Sequence, residues 1–321
     1  MVDLASGAHS PTRPPLLDVV PAAAALGARI PGIDVRRLDA AQARALRQAL
    51  LDHLVIVIPQ QDLSDDDLVR IARQFGQLAL PPAANERSSR QVHAGPAEIT
   101  VVSNIKENGQ PVGELGDAEV VWHSDYSFKE IPAAARMLYG IEIPPAGQGA
   151  NTVFINCYAA FDTLAADMKR SLIGKTIKQD RTLDTNLTVR LGAPHVDDLR
   201  TGPGPDHVIV SMHPETGHNS LFLGRRPKAY VNGLELGQSE ALLDELWKHV
   251  TQPRLQYEHE WRQGDLVIWD NRCTLHRRSA FSASARRLMH AAQIVGHKPF
   301  EAPHALSRPP HPRFRQFEAR A

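Results

Sequence analysis

The chain has 321 residues, of which 42% are hydrophobic and 22% are charged, and these proportions exclude a disordered or fibrous protein. Its 36 lysines and arginines balance 36 aspartates and glutamates, so no excess of positive charge attracts it to nucleic acid or to an anionic membrane. The two cysteines, Cys157 and Cys273, are too few for a disulfide framework or a thiolate zinc site. We therefore expect a globular protein that acts on a small molecule.

The ends of the chain carry no predicted leader or membrane anchor. Residues 1–14 lack the basic and apolar regions of a signal peptide, and the apolar stretch 22–30 is far shorter than the ~20 residues that cross a bilayer. Residues 305–321 form a basic, proline-rich tail. We predict a cytoplasmic protein with a disordered N-terminus, a disordered tail and one domain, residues 15–304.

Two helices are predicted near the start of this domain. Asp39 is a residue type that caps helices, and a helix over residues 40–51 follows it. A strand over residues 53–58 comes next. Ser64 then begins a second helix, whose apolar residues recur at helical spacing until Gly76 stops it.

From about residue 100 the sequence consists of short apolar runs separated by glycine, proline and asparagine. Examples are EITVVSNI, EVVWHSDYSF, AARMLYGIEI, NTVFINC, HVIVSM, SLFLG, DLVIWD and RRLMHAAQIV. Many short strands predict a sandwich or a barrel, here interrupted by helices near residues 159–171 and 239–250. The turn-rich stretches 79–97 and 180–206 are predicted substrate loops, because long connections in compact domains are usually functional.

The motifs GxGxxG, GxxxxGK[ST], GxSxG and HExxH are all missing from the sequence. The remaining candidate for a chemical site is a pattern of histidines and carboxylates. His123 and Asp125 lie two residues apart in the strand-like run EVVWHSDYSF, where alternate side chains share a face and could meet at one ion. A second such pair, His195 and Asp197, lies in a loop rich in glycine and proline. Apolar and aromatic residues flank only the first pair, which we therefore prefer.

A distant histidine is expected to complete the site. Two histidines and one carboxylate leave half of the coordination sphere of a non-haem Fe(II) open for a co-substrate and O₂. His276 is the best candidate, because it follows the buried-strand pattern GDLVIWDNRCTLH. Eleven residues later Arg287 begins an alternating strand on which Met289 and Ala291 share its face. An inward-facing arginine needs an anionic partner, and a carboxylate fits its fork.

Four segments, WHSD, NTVF, WDNRCTLH and RRLMH, resemble in this order the signature of the TauD/TfdA family of Fe(II)- and 2-oxoglutarate-dependent dioxygenases. The phrases SNIKENG and HPETG resemble the aryloxyalkanoate dioxygenases of that family. The resemblance covers about residues 16–303. It implies a mainly β (α+β) fold, a double-stranded β-helix or jelly-roll barrel with flanking helices. It also implies Fe(II), 2-oxoglutarate as co-substrate, O₂ and a homo-oligomer.

The resemblance further implies roles for single residues. His123, Asp125 and His276 are the expected iron ligands, and Arg287 and Thr152 are expected to bind the distal carboxylate of 2-oxoglutarate. The expected substrate pocket consists of Trp122, Tyr126, Trp269, Met289 and Ala291. The implied reaction hydroxylates an aliphatic C–H bond of a small organic molecule and releases succinate and CO₂. In an aryloxyalkanoate, that hydroxylation leads to ether cleavage.

Ala291 departs from the family pattern, because many members that act on sulfonates, sulfates or carboxylates have a second arginine at this point, four residues after the first. We expect a substrate that is neutral or aromatic at this end, or an acid held by another residue. The arginines at 90, 136, 190, 225 and 226 are interpreted as mostly solvated charges, one of which could replace the missing clamp. Two alternatives stay open: a zinc-dependent hydrolase on a jelly-roll scaffold, and a taurine- or alkyl-sulfate-type dioxygenase with a relocated anion clamp.

Overall fold

The computed structural model describes residues 16–81, 95–302 and 311–312. The predicted disordered N-terminus and almost all of the predicted basic tail lie outside the described residues, as do residues 82–94 of the first predicted loop. Among the helices of the described part, none has the length and apolar composition that a membrane span requires.

Short strands dominate the described residues, with five helices between them. The strands are β1 (Val20–Pro21), β2 (Ala28–Arg29), β3 (Val55–Ile58), β4 (Thr100–Ser103), β5 (Lys106–Glu107), β6 (Gln110–Pro111), β7 (Glu114–Leu115), β8 (Val120–His123), β9 (Ala133–Glu142), β10 (Thr152–Asn156), β11 (Thr176–Lys178), β12 (Asp206–Val208), β13 (Val210–Met212), β14 (Asn219–Leu221), β15 (Tyr230–Val231), β16 (Gln256–His259), β17 (Leu266–Asp270), β18 (Thr274–Arg278) and β19 (Leu288–Val295). The α-helices are α1 (Ala40–His53), α2 (Asp65–Ala72), α3 (Cys157–Asp162), α4 (Ala166–Leu172) and α5 (Leu236–Val250).

Two sheets face each other across the core. The larger sheet has eight strands in the order β1-β2-β3-β17-β9-β19-β4-β7, and the smaller has four in the order β16-β10-β18-β8. Phe154 of the smaller sheet packs edge to face on Trp269 of the larger, with ring centroids 5.4 Å apart. The predicted mainly β protein is confirmed, whereas closure of the two sheets into a jelly-roll barrel stays a prediction.

Helices α1 and α2 cover the outer face of the larger sheet. Leu46 and Leu50 of α1 and Leu68 of α2 are buried in one apolar cluster with Ile56 of β3 and Ile268 of β17. Burial of this apolar area, worth about 25 cal/mol per Å², is what fixes the helices to the sheet. The predicted flanking helices are confirmed.

Both helices begin where the sequence predicts. The Asp39 carboxylate accepts the backbone N–H groups of Ala41 and Gln42, and the Ser64 hydroxyl accepts that of Asp67. Their ends are corrected in the structure. Helix α1 runs on to its last residue at position 53, so the strand starts two residues later than predicted, at position 55.

The later helices also differ from prediction in extent. Helix α2 ends at position 72, four residues before Gly76. The single helix predicted over 159–171 is two helices, α3 and α4. Helix α3 begins early because the Asn156 side chain, at the end of β10, accepts the N–H of Ala159. Helix α5 begins three residues before the predicted position 239.

Candidate functional site

Strand register brings two distant histidines together. His123, the last residue of β8, lies directly opposite His276 of β18, and the centroids of the two rings are 4.1 Å apart. Both side chains are buried. The Nδ1–H of His123 donates to the carbonyl oxygen of Val121 at 2.8 Å, which leaves Nε2 with its lone pair free for a ligand.

Asp125 reaches the same point from a turn rather than from a strand. Strand β8 ends at position 123, and Asp125 lies in the turn that follows, where Tyr126 has a positive φ of 56°. The Asn271 side chain fixes this turn by accepting the N–H of Asp125 at 2.7 Å and donating to its carbonyl oxygen at 2.9 Å. The predicted convergence is therefore present, but the alternation of strand side chains is not its cause.

The ligand atoms are spaced for an ion rather than for hydrogen bonds to each other. Nε2 of His123 lies 3.7 Å from Oδ1 of Asp125, and Nε2 of His276 lies 3.7 Å from Oδ2. Two atoms bonded to one ion at about 2.1 Å lie at most about 4.2 Å apart. The Oδ2 atom is buried without a hydrogen-bond partner, a costly state that a bound cation relieves. Two imidazoles and a carboxylate thus fit an Fe(II) ion.

The protonation states suit metal binding as well. Burial raises the pKa of the Asp125 carboxyl, but the positive charge of Arg136 and the two imidazoles outweigh that effect and hold the pKa below its usual range. Burial, reinforced by the neighbouring His123, lowers the pKa of His276 well below its usual value. The site therefore presents a carboxylate and a neutral imidazole, the forms that bind metals.

The second histidine and aspartate pair does not form a comparable site. The His195 and Asp197 side chains are 87% and 91% exposed, and their contact of 2.9 Å lies on the protein surface. Solvent competes with such a pair and screens its charges. This exposure is consistent with the preference for the other pair, His123 and Asp125.

One cavity, called the inner cavity below, is lined by His123, His276 and Arg287 together. Its wall also includes Leu138, Thr152 and Trp269, and the Arg287 side chain is 2% exposed. The Nε and Nη1 atoms of Arg287 have no hydrogen-bond partner. Burial and the nearby guanidinium groups of Arg278 and Arg136 lower its pKa well below the usual value. A guanidinium in this state needs an anion, and a carboxylate fits it.

Thr152 and Trp269 both border this inner cavity. The Thr152 hydroxyl oxygen accepts the indole N–H of Trp261 at 2.9 Å, and its own hydrogen remains available for an acceptor in the cavity. The Trp269 ring packs against His276, with centroids 4.8 Å apart, and shields that imidazole from water.

A second cavity, called the outer cavity below, is lined by His123 and Asp125, and Tyr126 borders it as expected. The structure does not bring the other three expected pocket residues to either cavity, as far as the described residues line them. Trp122 points to the opposite face of β8 from His123, and Arg277 lies 5.2 Å above its ring. Met289 and Ala291 are fully buried in the apolar core.

Three of the arginines interpreted as solvated charges border the outer cavity instead, which corrects that interpretation. Arg190 and Arg225 are 6% and 7% exposed, and the Arg136 side chain is 11% exposed. Arg225 donates to the Asp180 carboxylate at 2.8 Å, whereas Arg136 also borders the inner cavity.

The remaining two candidate arginines differ in position. Arg226 pairs with Glu240 and Asp244 at the surface, and the arginine at position 90 lies outside the described residues.

The predicted loop 180–206 supplies much of the outer wall. Asp180, Asp184 and Arg190 come from it, and the Arg190 guanidinium lies 3.8 Å from the centre of the Phe128 ring. Phe128 in turn packs edge to face on Tyr126, with centroids 5.9 Å apart. An aromatic and cationic surface therefore lines the same cavity as His123 and Asp125.

A second group of possible metal ligands, which includes His213, Asp270 and Cys273, has a structural explanation. The Nδ1 atom of His213 accepts the backbone N–H groups of residues 215 and 216, and its Nε2–H donates to Asp270 at 3.0 Å. Arg272 occupies both oxygens of that carboxylate. No ligand atom of His213 is left for a metal.

Comparisons with known proteins agree with this geometry. Residues 18–293 match the family described as "Taurine catabolism dioxygenase TauD, TfdA family". The chain is 29% identical over 297 residues to an (S)-phenoxypropionate/alpha-ketoglutarate-dioxygenase of Sphingobium herbicidovorans, covering 88% of this chain and 96% of the relative. It is 31% identical over 296 residues to a pentalenolactone F synthase of Streptomyces avermitilis, covering 87% and 94%. A crystal structure of AAD-2 in complex with Mn(II) and N-oxalylglycine is similar with a TM-score of 0.70 and 27% identity, covering 88% and 98%.

Proposed function

Because the chain belongs to the TauD/TfdA family of Fe(II)- and 2-oxoglutarate-dependent dioxygenases, we propose that it hydroxylates an aliphatic C–H bond of a small organic acid with an aromatic part. An aryloxyalkanoate is the proposed class, and hydroxylation next to its ether oxygen leads to ether cleavage. We also propose one domain over residues 15–304, built as a jelly-roll barrel.

One observation carries the proposal: His123, Asp125 and His276 converge within reach of one ion, and the inner cavity that both histidines line is also lined by the unpaired, buried Arg287. We assign His123, Asp125 and His276 to the iron and Arg287 with Thr152 to the distal carboxylate of 2-oxoglutarate. When bound, Fe(II) activates O₂ so that 2-oxoglutarate is decarboxylated to succinate while a substrate C–H bond is hydroxylated.

The chain's own contribution is orientation, charge and exclusion of water. Asn271 holds the turn that carries Asp125, so the carboxylate keeps one position while ligands exchange. The Phe154 and Trp269 rings, fully buried beside His276, exclude water from the inner side of the metal site. The cavity wall also carries buried arginine side chains, Arg287 among them, which favours a bound molecule with a carboxylate.

Arg136 is the proposed anchor for the acid of the substrate. In β9 it lies two positions from Leu138, the residue directly opposite Ala291, so it is close to where the missing second arginine would lie. Its partner Asp125 is a proposed metal ligand. Once a divalent cation binds Asp125, the charge of that carboxylate is shared, and Arg136 is left with positive charge for a substrate anion.

The aromatic part of the proposed substrate has support in the outer cavity. Tyr126 and Phe128 offer two ring surfaces at its wall, and Arg190 adds a cation over Phe128. Sequence similarity alone does not identify the substrate. The relatives named for phenoxypropionate and for pentalenolactone F have nearly the same sequence identity to this chain, 29% and 31%. The zinc hydrolase alternative lacks a role for the unpaired Arg287.

A competition assay tests the substrate proposal. The Fe(II) enzyme with 2-oxoglutarate is offered an aryloxyalkanoate, the neutral amide of the same acid, taurine and an alkyl sulfate, and substrate-stimulated succinate release is measured. We expect the aryloxyalkanoate to be consumed first. Preference for the neutral amide would contradict the Arg136 anchor, and preference for taurine would favour the sulfonate alternative.

A further inference from the structure

A second buried arginine, Arg278, borders the inner cavity beside Arg287. It follows His276 by two residues in β18, lies directly opposite Thr152 of β10 and is 5% exposed. Its Nη2 atom donates to the carbonyl oxygens of Leu115 and Ala118, but its Nε and Nη1 atoms have no hydrogen-bond partner. Two of its three nitrogens are thus buried without an acceptor.

The two arginines bring two positive charges to one part of the cavity wall. Their guanidinium carbons lie 5.1 Å (Arg278) and 6.0 Å (Arg287) from the centre of the same Phe281 ring. Within the described ranges, no carboxylate forms an ion pair with either. Burial lowers the pKa of Arg278 to about 10, against an opposing effect of Asp117. After burial, the charge of Arg278 also lowers the pKa of Arg287.

A bound anion would supply acceptors that the described residues do not offer to these two arginines. Buried N–H groups without partners cost free energy, and the cost is larger for charged groups. Four unpaired nitrogens, two on each arginine, exceed what the single hydroxyl of Thr152 can satisfy. A single carboxylate cannot reach the Nε and Nη1 atoms of one guanidinium together, because they point to different sides, but its two oxygens, with about four lone-pair sites, can accept from one nitrogen of each arginine.

We propose that Arg278 is a second arginine for the distal carboxylate of the co-substrate and makes the inner cavity selective for 2-oxo diacids over 2-oxo monoacids. The inference rests on the proposed function, because it takes Arg287 as the first arginine of that carboxylate. A purely structural role for Arg278 would need only its Nη2 atom, whose hydrogen bonds to two backbone carbonyl groups already connect residues 115–118 to β18.

Binding without turnover tests the proposal. The Mn(II)-loaded enzyme is titrated by calorimetry with 2-oxoglutarate and with 2-oxobutyrate, which has the same chelating end but no distal carboxylate. We expect Arg278→Met to weaken 2-oxoglutarate binding roughly 10- to 100-fold, the size of a lost charged hydrogen-bond pair. Its effect on 2-oxobutyrate should be small, so the ratio of the two affinities falls. Arg278→Lys, which keeps the charge but loses the fork, should lower the ratio less.

The matched control is Arg277→Met. Arg277 is the neighbour of Arg278 on the opposite face of β18, where it lies 3.6 Å from Glu119, and its loss should leave the ratio unchanged. An unchanged ratio in Arg278→Met, or equal weakening of both acids, would overturn the proposal in favour of a structural role. If the Met variant does not fold, an unchanged ratio in Arg278→Lys overturns it instead. Failure of the wild type to prefer 2-oxoglutarate would contradict the proposed function itself.

Discussion

The Nη1 atom of Arg136 donates a hydrogen bond of 2.7 Å to Oδ1 of Asp125, so the wall of the outer cavity and the metal-binding carboxylate are directly connected. The Nε atom of Arg136 is buried and unpaired, which leaves one side of its guanidinium available to another anion. If Arg136 anchors the substrate acid as proposed, one side chain contacts both the substrate and a proposed metal ligand.

Arg136→Met should weaken the binding of an acidic substrate far more than that of its neutral analogue. Loss of the partner of a buried anion costs about 2–5 kcal/mol, which appears as a higher KM for the acid. The measurement is KM for an aryloxyalkanoate and for its amide. Arg226→Met, at a surface arginine paired with Glu240, is the control and should change neither value. Equal KM values for the acid in wild type and Arg136→Met would contradict the anchor.

Arg287→Met should raise the KM for 2-oxoglutarate while iron affinity changes little, because Arg287 contacts no metal ligand. The expected loss is again about 2–5 kcal/mol, that of one buried charged partner. Arg286→Met provides a matched control, since its neighbouring guanidinium is exposed and pairs with Glu142 at 2.7 Å. Unaltered 2-oxoglutarate affinity in the Arg287 variant would remove the co-substrate assignment and favour the hydrolase alternative.

The buried Asp270 carboxylate should support the fold in a pH-dependent manner. Burial raises its pKa, but Arg272 and His213 outweigh burial and hold the pKa below its usual range. Such a group stabilises the folded state above its unfolded pKa of about 3.9, and the stabilisation is lost as the pH falls below that value. Asp270→Asn should cost about 3–5 kcal/mol near neutral pH, measured by urea unfolding.

The difference between wild type and Asp270→Asn should shrink as the pH is lowered through about 4, since protonation removes the same charge. Asp244→Asn is the control, because that exposed carboxylate pairs with Arg226 at the surface and should cost at most about 1 kcal/mol. A loss that stays constant down to about pH 3 would mean that the charge of Asp270 is not what stabilises the network.

Taurine should be a poor substrate. The methyl group of Ala291 stands in place of the second arginine, is fully buried in the core and adds no charge to that of Arg136. Taurine also has no ring to pack on Tyr126 and Phe128 in the outer cavity. The test is the kcat/KM of taurine relative to an aryloxyalkanoate. Efficient taurine hydroxylation by the wild type would contradict the prediction.

The sequence predicts the parts of the site that depend on strand pairing. His123 and His276 each lie in an apolar strand-like run, and an antiparallel register brings them opposite each other. The local pattern cannot predict the turn after β8, because a tertiary contact, the side chain of Asn271, fixes it. Asn271 lies in the segment WDNRC, but its position in the sequence does not indicate that its side chain binds the backbone of Asp125.

Arg136 and Arg278 could have been predicted from the sequence as cavity residues, by the same reasoning that identified Arg287. Arg136 lies within the apolar run AARMLYGIEI, and Arg278 follows His276 by two residues and so shares its face. An arginine at an inward position needs an anionic partner wherever it occurs. Which cavity each side chain enters depends on the packing of two sheets, which one sequence does not determine.

The most direct test of the account is an anaerobic titration of the Fe(II) protein with 2-oxoglutarate, followed by admission of O₂. We predict a weak visible charge-transfer band, since a bidentate 2-oxo acid on an Fe(II) centre with two histidines and a carboxylate has that chromophore, and release of succinate once O₂ and substrate are present. Asp125→Ala should lose both, and Asp197→Ala, in the exposed second pair, should retain both. A band and succinate release that survive in Asp125→Ala but disappear in Asp197→Ala would contradict the metal site proposed for this protein.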